Sequence, residues 1–348
     1  MRHRLIRWLA LVGLGALLAG AQPAVACGCG AFLPRDGSVS IPHERALVRV
    51  QDGIEEVTLE LSVQGRTSDA ALIFPTPTRP TARLGQRGIF EELAELTKPQ
   101  VRVSYRLIPP FDFGMTSGSA GGAPPPVELL DRQQLGPFDV STLAARDAGA
   151  LAAWLDANGY TLAPGTAALL QPYIDQGWTY VAIRLSGDGG APLSGWLDPI
   201  QISFPTDAPV YPMRLSAVAK GPLLVTLYVL ADHRMDVSLA TERETPFADW
   251  VAPADLPAGS ALAGLLGERM FLTKFEYTFF SPAMIDSDAA LTRAASDEVF
   301  RSSITREELL QVGPVPLFYL LLCIVPLALL GGVWALLRRN GRARAPTS

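Results

Sequence analysis

Cysteine, histidine and lysine are scarce in this sequence, with three of each in 348 positions. His3 lies among the first residues and Cys323 inside a long apolar run, so only Cys27, Cys29, His43 and His233 remain for metal or thiol chemistry. None of them shows ligand spacing such as His-x-x-x-His. Asp286-Ser287-Asp288 lacks the glycine and distant glutamate of an EF-hand loop and reads as an acidic turn, so no metal is expected. A Gly-x-Ser-x-Gly elbow, a phosphate loop and a dinucleotide fingerprint are all missing, and no cofactor is expected either. Positive charge is short as well, at 29 basic against 34 acidic residues. Seven of the 29 sit at the two ends, which leaves 22 basic against 34 acidic residues between them, an acidic middle unsuited to nucleic acid.

What the chain has in quantity is apolar sequence at its ends. Arg2, Arg4 and Arg7 precede an uncharged run from Trp8 to Gly20, and Ala24-Val25-Ala26 follows with the small residues of a signal-peptidase site. Residues 1–26 are therefore expected to be a secretory signal. Near the other end, Leu317 to Leu337 is twenty-one residues without a charge. As a helix this run reaches about 31 Å, enough to span a bilayer. Arg338, Arg339, Arg342 and Arg344 follow it, so the positive-inside rule puts residues 338–348 in the cytoplasm. The expectation is a single-pass type I protein of the bacterial cytoplasmic membrane, held in lipid through 317–337, with 27–312 outside. Pro326 and Gly331-Gly332 are tolerated in such a helix.

Between the ends the periodicity is mostly that of strands. Leu47 to Val50 and Val57 to Val63 alternate around Asp52-Gly53, a hairpin signal, and Ala70 to Phe74 predicts a third strand of the same antiparallel meander. Ile89, Phe90, Leu93 and Leu96 have helical spacing. Val101 to Ile108 predicts a strand, and residues 109–137, rich in Gly, Pro and Ser, predict a flexible insertion. A helical pair is expected over Arg146 to Ala157 and Pro164 to Gln176, stopped by Asn158-Gly159 and Gly177. Strands are then predicted at Trp178 to Leu185, Leu197 to Phe204, Met213 to Val218, Leu223 to Ala231 and Met270 to Phe280, and a mostly helical stretch at Leu291 to Gln311. Phe74-Pro75-Thr76 and Phe204-Pro205-Thr206 hint at two halves of related build. The fold class is α+β: an antiparallel β-rich exterior domain with a central helical pair, plus one C-terminal transmembrane helix.

Five phrases in order carry a resemblance: Cys27-Gly28-Cys29-Gly30, Leu72-Ile73-Phe74-Pro75-Thr76-Pro77, Trp154-Leu155 through Asn158-Gly159-Tyr160, Tyr173-Ile174 with Gly177-Trp178, and Val210 to Ser216. Over most of Cys27 to Arg234 the chain resembles the bacterial DUF2330 family of exported proteins. Ile73-Phe74 departs from it, since the family is associated with Trp before the proline-rich stop. The resemblance implies export and one large domain, and it transfers no catalytic residue.

Function is accordingly open. Cys27 and Cys29 would pair in an oxidising exterior, as a staple or as a strained, exchangeable disulfide, and Cys27 is alternatively a lipidation site. His233 with Asp232 is either a polar site or an ordinary turn histidine bonded to a carboxylate. Trp154, Tyr160, Tyr173, Trp178 and Trp196 line either a carbohydrate surface or the core. The expectation is a non-enzymatic binding or scaffolding module with an envelope protein or glycan as partner. The alternative is an envelope enzyme, acting by thiol-disulfide exchange or as a hydrolase near His233.

Overall fold

A computed structural model describes residues 25–26, 30–35, 39–106, 128–135, 138–144, 147–161, 165–187, 190–219, 221–239, 243–312 and 314–342. Cys27 and Cys29, residues 1–24 of the expected signal, and 109–127 of the expected insertion lie outside these. The chain starts with β1 (Val25–Ala26), β2 (Ala31–Pro34), β3 (Val39–Gln51), β4 (Ile54–Gly65), β5 (Asp69–Thr76), β6 (Thr81–Leu84) and helix α1 (Ile89–Leu96). Next come β7 (Gln100–Arg106), β8 (Glu128–Leu135), β9 (Phe138–Ala144), α2 (Ala148–Ala157), α3 (Thr166–Asp175), β10 (Thr179–Ser186), β11 (Gly195–Trp196), β12 (Ile200–Pro205) and β13 (Val210–Tyr211). The rest is β14 (Leu223–Ala231), β15 (Met235–Val237), β16 (Arg243–Val251), β17 (Met270–Phe279), β18 (Ala289–Arg293), β19 (Phe300–Arg301), β20 (Ser303–Leu309), β21 (Gln311–Val312), β22 (Val315–Pro316) and α4 (Leu317–Arg342).

Two units result, one of Met1–Lys98 with Ser117–Arg301, the other of Pro99–Thr116 with Ser302–Ser348. In the first, a six-stranded sheet ordered β1-β2-β5-β10-β9-β8 and a nine-stranded sheet built on β19-β16-β17-β14-β3-β4-β12-β6 share one core. Alternation along each strand decides what enters it. Leu72 and Phe74 of β5 and Val181 and Ile183 of β10 meet Val57 and Leu59 of β4, Val225 and Leu227 of β14, and Phe275 of β17. The opposite face of the six-stranded sheet packs Leu33, Ile73, Leu143 and Tyr180 against Leu151 and Leu155 of α2 and Leu170 and Tyr173 of α3. The far face of the nine-stranded sheet packs Leu47, Tyr228 and Leu272 against Ile89, Phe90 and Leu93 of α1. Because β14 is covered on both sides, Val225, Leu227 and Val229 facing one core and Tyr228 and Leu230 the other, its sequence is nearly all apolar.

The β3–β4 hairpin forms as Asp52-Gly53 predicts, with both turn residues at positive φ, 52° and 71°. Four expectations fail. Strand β5 does not extend that meander: β4 takes β12 as its neighbour and β5 lies in the other sheet between β2 and β10. Residues 128–135, placed within the flexible insertion, form β8 at the sheet edge, since backbone pairing with β9 does not require an apolar side-chain pattern. Met213 to Val218 is not a strand; Arg214–Val218 is a 3-10 turn, ended by Ala219. The stretch from Leu291 to Gln311 is extended, not helical, for Leu291 to Arg293 belong to β18 and Ser303–Leu309 pairs in parallel with β7. The Phe-Pro-Thr echo falls on ends of strands in different sheets: Thr76 meets the Thr179 hydroxyl at 2.8 Å, whereas Thr206 donates its N–H to Gly53 O.

The strand-rich α+β class is as expected, although β3 pairs with β14 in parallel. In the second unit β7 pairs with β20, β21 with β22, and α4 follows. Leu317–Leu336 has mean hydropathy 2.3 and is long and apolar enough to cross a membrane.

Candidate functional site

The helix-facing side of the six-stranded sheet is bulky at one end and small or polar at the other. One row across it reads Leu33, Ala71, Arg184, Asp139, and the next reads Ala31, Ile73, Ala182, Ser141. A third carries Tyr180 beside Leu143 and lies under the helices. Ala71, Ala182 and Ser141 are too short to fill the space beneath the C-terminal end of α2. A cleft of about 450 Å³ remains, walled by Trp154, Asn158, Gly159 and Tyr160.

Helix α2 ends over the cleft for local reasons. Asp147 caps its start by accepting the Ala150 N–H at 2.7 Å. At its end Tyr160 N bonds Leu155 O at 2.9 Å, and Gly159 takes φ 86°, a Schellman stop. A Cβ on Gly159 would lie 2.6 Å from Arg35 Nη2, so glycine there also makes room for that guanidinium. Arg35 donates to the end carbonyl of Asn158 at 2.7 Å, where cations complement the helix dipole.

Asp69, at the start of β5, collects the charges. Arg184 donates Nε to its Oδ1 at 3.2 Å and Nη2 to its Oδ2 at 2.5 Å, Arg35 donates Nη1 to Oδ2 at 3.1 Å, and the Tyr160 hydroxyl donates to Oδ1 at 2.6 Å. Burial works to raise the Asp69 carboxyl, but the bonds from Arg184 and Tyr160 and the charges of Arg184 and Arg35 outweigh it and hold it below the ordinary value. Burial, with Asp69 beside it, pushes the Tyr160 hydroxyl well above the phenol range, so it remains a donor. One carboxylate thus serves two guanidinium groups, and both stay open to solvent, with side chains 43% and 42% exposed against 14% for Asp69. The arrangement can bind and orient a polar group.

Four of the five phrases that carried the sequence resemblance fall within the described part of this framework, and Trp154, Asn158, Gly159 and Tyr160 line the cleft itself. A family profile described as an uncharacterized protein conserved in bacteria, DUF2330, matches residues 23–292. The chain belongs to the DUF2330 family. The match extends past Arg234, through β17 and into β18, so the DUF2330 region includes the six-stranded sheet, the nine-stranded sheet except β19, and the helical pair. No curated protein and no solved structure matches the chain.

Of the residues singled out for chemistry, Trp154 and Tyr160 line this DUF2330 cleft, while His43, Asp232 and His233 do not. Cys27 and Cys29 lie outside the described residues, and Cys323 is free and exposed on α4. His233 Nδ1 sits 3.0 Å from Asp297 Oδ2, whose other oxygen accepts the Arg234 N–H, while Asp232 is exposed. The bonds from His233 and the Arg234 N–H hold Asp297 below the usual carboxylate value. No hydroxyl or thiol of the described residues hydrogen-bonds to His233. His43 is edge-on to Trp196, which Arg45 covers at 4.1 Å. Tyr160 and Tyr173 are buried, Trp154 and Trp178 pack on the helix-side core, and Trp196 lies on the other sheet, so these aromatics form no single platform. Among the described residues no group of three or more His, Cys, Asp or Glu is placed to hold a metal. Asp288 is structural: it accepts from the Tyr173 hydroxyl at 2.5 Å and from the Met213 and Arg214 N–H groups.

A larger hollow of about 860 Å³ lies between Arg243, Glu276, Phe280 and Met284. It adjoins residues 240–242, which are outside the described set, and Arg243 is already tied to Asp236. The smaller cleft is the better candidate because its charged groups converge on one point. Sequence reading missed Arg35, Asp69, Asp139 and Arg184. The one local signal was Arg184, a charge inside the otherwise apolar alternation of Thr179–Ser186.

Proposed function

We propose that the chain is a non-enzymatic binding module of the bacterial cell envelope, tethered by α4, and that the Arg35–Asp69–Arg184 cleft is its binding surface. Residues 1–26 act as the export signal, the domain from 27 to 312 lies outside the cytoplasmic membrane, and the arginines from Arg338 onward stay inside, in a type I arrangement. The partner is an envelope protein or glycan, not nucleic acid. The cleft carries the reading: about 450 Å³, with two solvent-facing guanidinium groups held by one carboxylate, has the size and few convergent polar groups of a ligand site. The hydrolase alternative gains nothing from His233, which meets a carboxylate and no hydroxyl.

In situ cross-linking of the full-length protein, followed by detergent extraction, tests this. Ala157 is exposed at the mouth of the cleft, so Ala157→Trp obstructs it without touching the core. The expected result is a cross-linked envelope component captured by the wild type and lost from Ala157→Trp at unchanged melting temperature. Capture of nothing, or of the same components by both forms, refutes the proposal.

A further inference from the structure

Resting on the binding-module reading, we infer that the cleft recognises the free carboxylate at the end of a peptide whose last side chain is small. Arg184 spends Nε and Nη2 on Asp69, which leaves Nη1, on a half-exposed side chain, with no carboxylate partner. Arg35 spends one N–H of Nη1 on Asp69 and one of Nη2 on Asn158 O, and its Nε faces Gly159, leaving the second N–H of each terminal nitrogen. A guanidinium has five N–H donors in a fixed fork, so the two groups keep donors for a second carboxylate while Asp69 behind them holds the forks in place. Such preorganisation lowers the ordering cost of binding.

The remaining walls select the ligand further. Asp139 stands opposite Arg184 in the strand register and Asp156 lines the cleft, so with Asp69 three carboxylates surround two guanidinium groups and attraction for an anion is confined to the arginines' unspent N–H donors. A polyanion or a phosphate cluster would reach the exposed Asp156 carboxylate, whereas a single terminal carboxylate needs only the guanidinium donors. Ala71 and Ala182 form the floor and Trp154 a wall, which accommodates a methyl group and crowds a large side chain. Peptide-end capture by fixed donors is a known recognition mode.

The test titrates full-length protein in detergent micelles with acetyl-Ala-Ala and with its C-terminal amide, reading the Trp154 region by NMR or binding heat by calorimetry. The acid should bind at least about tenfold tighter than the amide, as expected when a charge-assisted bond is lost. Arg184→Gln should abolish that preference. Because this variant leaves Asp69 with one cation fewer and can fail to fold, exposed Ala157 supplies a second pair: Ala157→Glu should weaken the acid about threefold and Ala157→Lys should not, with the difference shrinking in high salt.

Equal binding of acid and amide, no binding of either at millimolar concentration, tighter binding of glucuronate than of the peptide acid, or an acid affinity indifferent to the charge at 157 overturns the inference. The failures separate cleanly. If the peptide acid does not bind but Ala157→Trp still removes the cross-linked partner, only the carboxylate assignment falls. If the acid binds and the cross-linked partner is indifferent to Ala157→Trp, the envelope-module reading falls instead.

Discussion

Glu55 is the second residue of β4, with its carboxyl directed into the core between the two sheets, at 0% exposure. Its Oε2 accepts the Val210 N–H at 3.0 Å, and its Oε1 has no partner among the described residues. Burial, only partly offset by the Val210 bond, raises its pKa from 4.5 to about 8. A carboxyl whose folded pKa lies above its unfolded one favours the fold when protonated. That contribution is therefore complete below pH 4.5 and is lost as pH rises through the folded value of about 8. At about 1.36 kcal/mol per unit, the loss is about 3 kcal/mol between pH 4 and pH 7 and about 4.5 kcal/mol by pH 9. Glu55→Gln keeps an acceptor for Val210 and cannot ionise. Urea unfolding of both forms across this range cancels the titration of all other groups, so the stability difference should shift in favour of Glu55→Gln by those amounts. A difference that stays flat from pH 4 to pH 9 refutes the claim that Glu55 is buried as a neutral acid.

Gly159→Ala should cost about 2 kcal/mol and lower the melting temperature, because alanine at φ 86° is strained and its Cβ would strike Arg35. Asp69→Asn should destabilise by about 2 kcal/mol at pH 7, less than for a fully buried pair because the arginines are solvent-screened. The sign with pH is opposite to that of Glu55: the Asp69 pKa is depressed, so its contribution is complete above the ordinary carboxylate range and disappears as pH falls through the lowered value. The Asp69→Asn deficit should accordingly vanish in acid urea titrations, and a deficit unchanged by acid would show that the ion group carries no stability. In a Cys27→Ser, Cys29→Ser background, Cys323, within the span Leu317–Leu336, should resist an aqueous maleimide in intact membranes and react once detergent is added. Labelling without detergent would refute the membrane placement of this helix.

Local signals were legible wherever one strand or helix explains itself. Asp52-Gly53 turned where an Asp-Gly turns, and α2 stopped at Asn158-Gly159 because only glycine readily takes φ 86°. Two errors have a common cause. Charged, weakly apolar stretches such as Ser303–Leu309 and Glu128–Leu135 are extended through backbone pairing with β7 and β9, and side-chain periodicity does not report edge pairing. The cleft was only partly readable. Arg184 stood out within its strand, but Arg35 and Asp69 are ordinary surface residues until β2, β5 and β10 align.

By itself the sequence determined the strand-rich α+β class, the DUF2330 likeness and the apolar run from Leu317, because these depend on composition and on residues near one another in the chain. Tertiary structure alone decided that β5 leaves β4 for the second sheet. It also decided that small residues fall in register under α2, and that Asp69 gathers Arg35 and Arg184 from sequence distances of 34 and 115 residues. Strand partners and register are set by which faces can be buried together across the whole domain, and no local window contains that information.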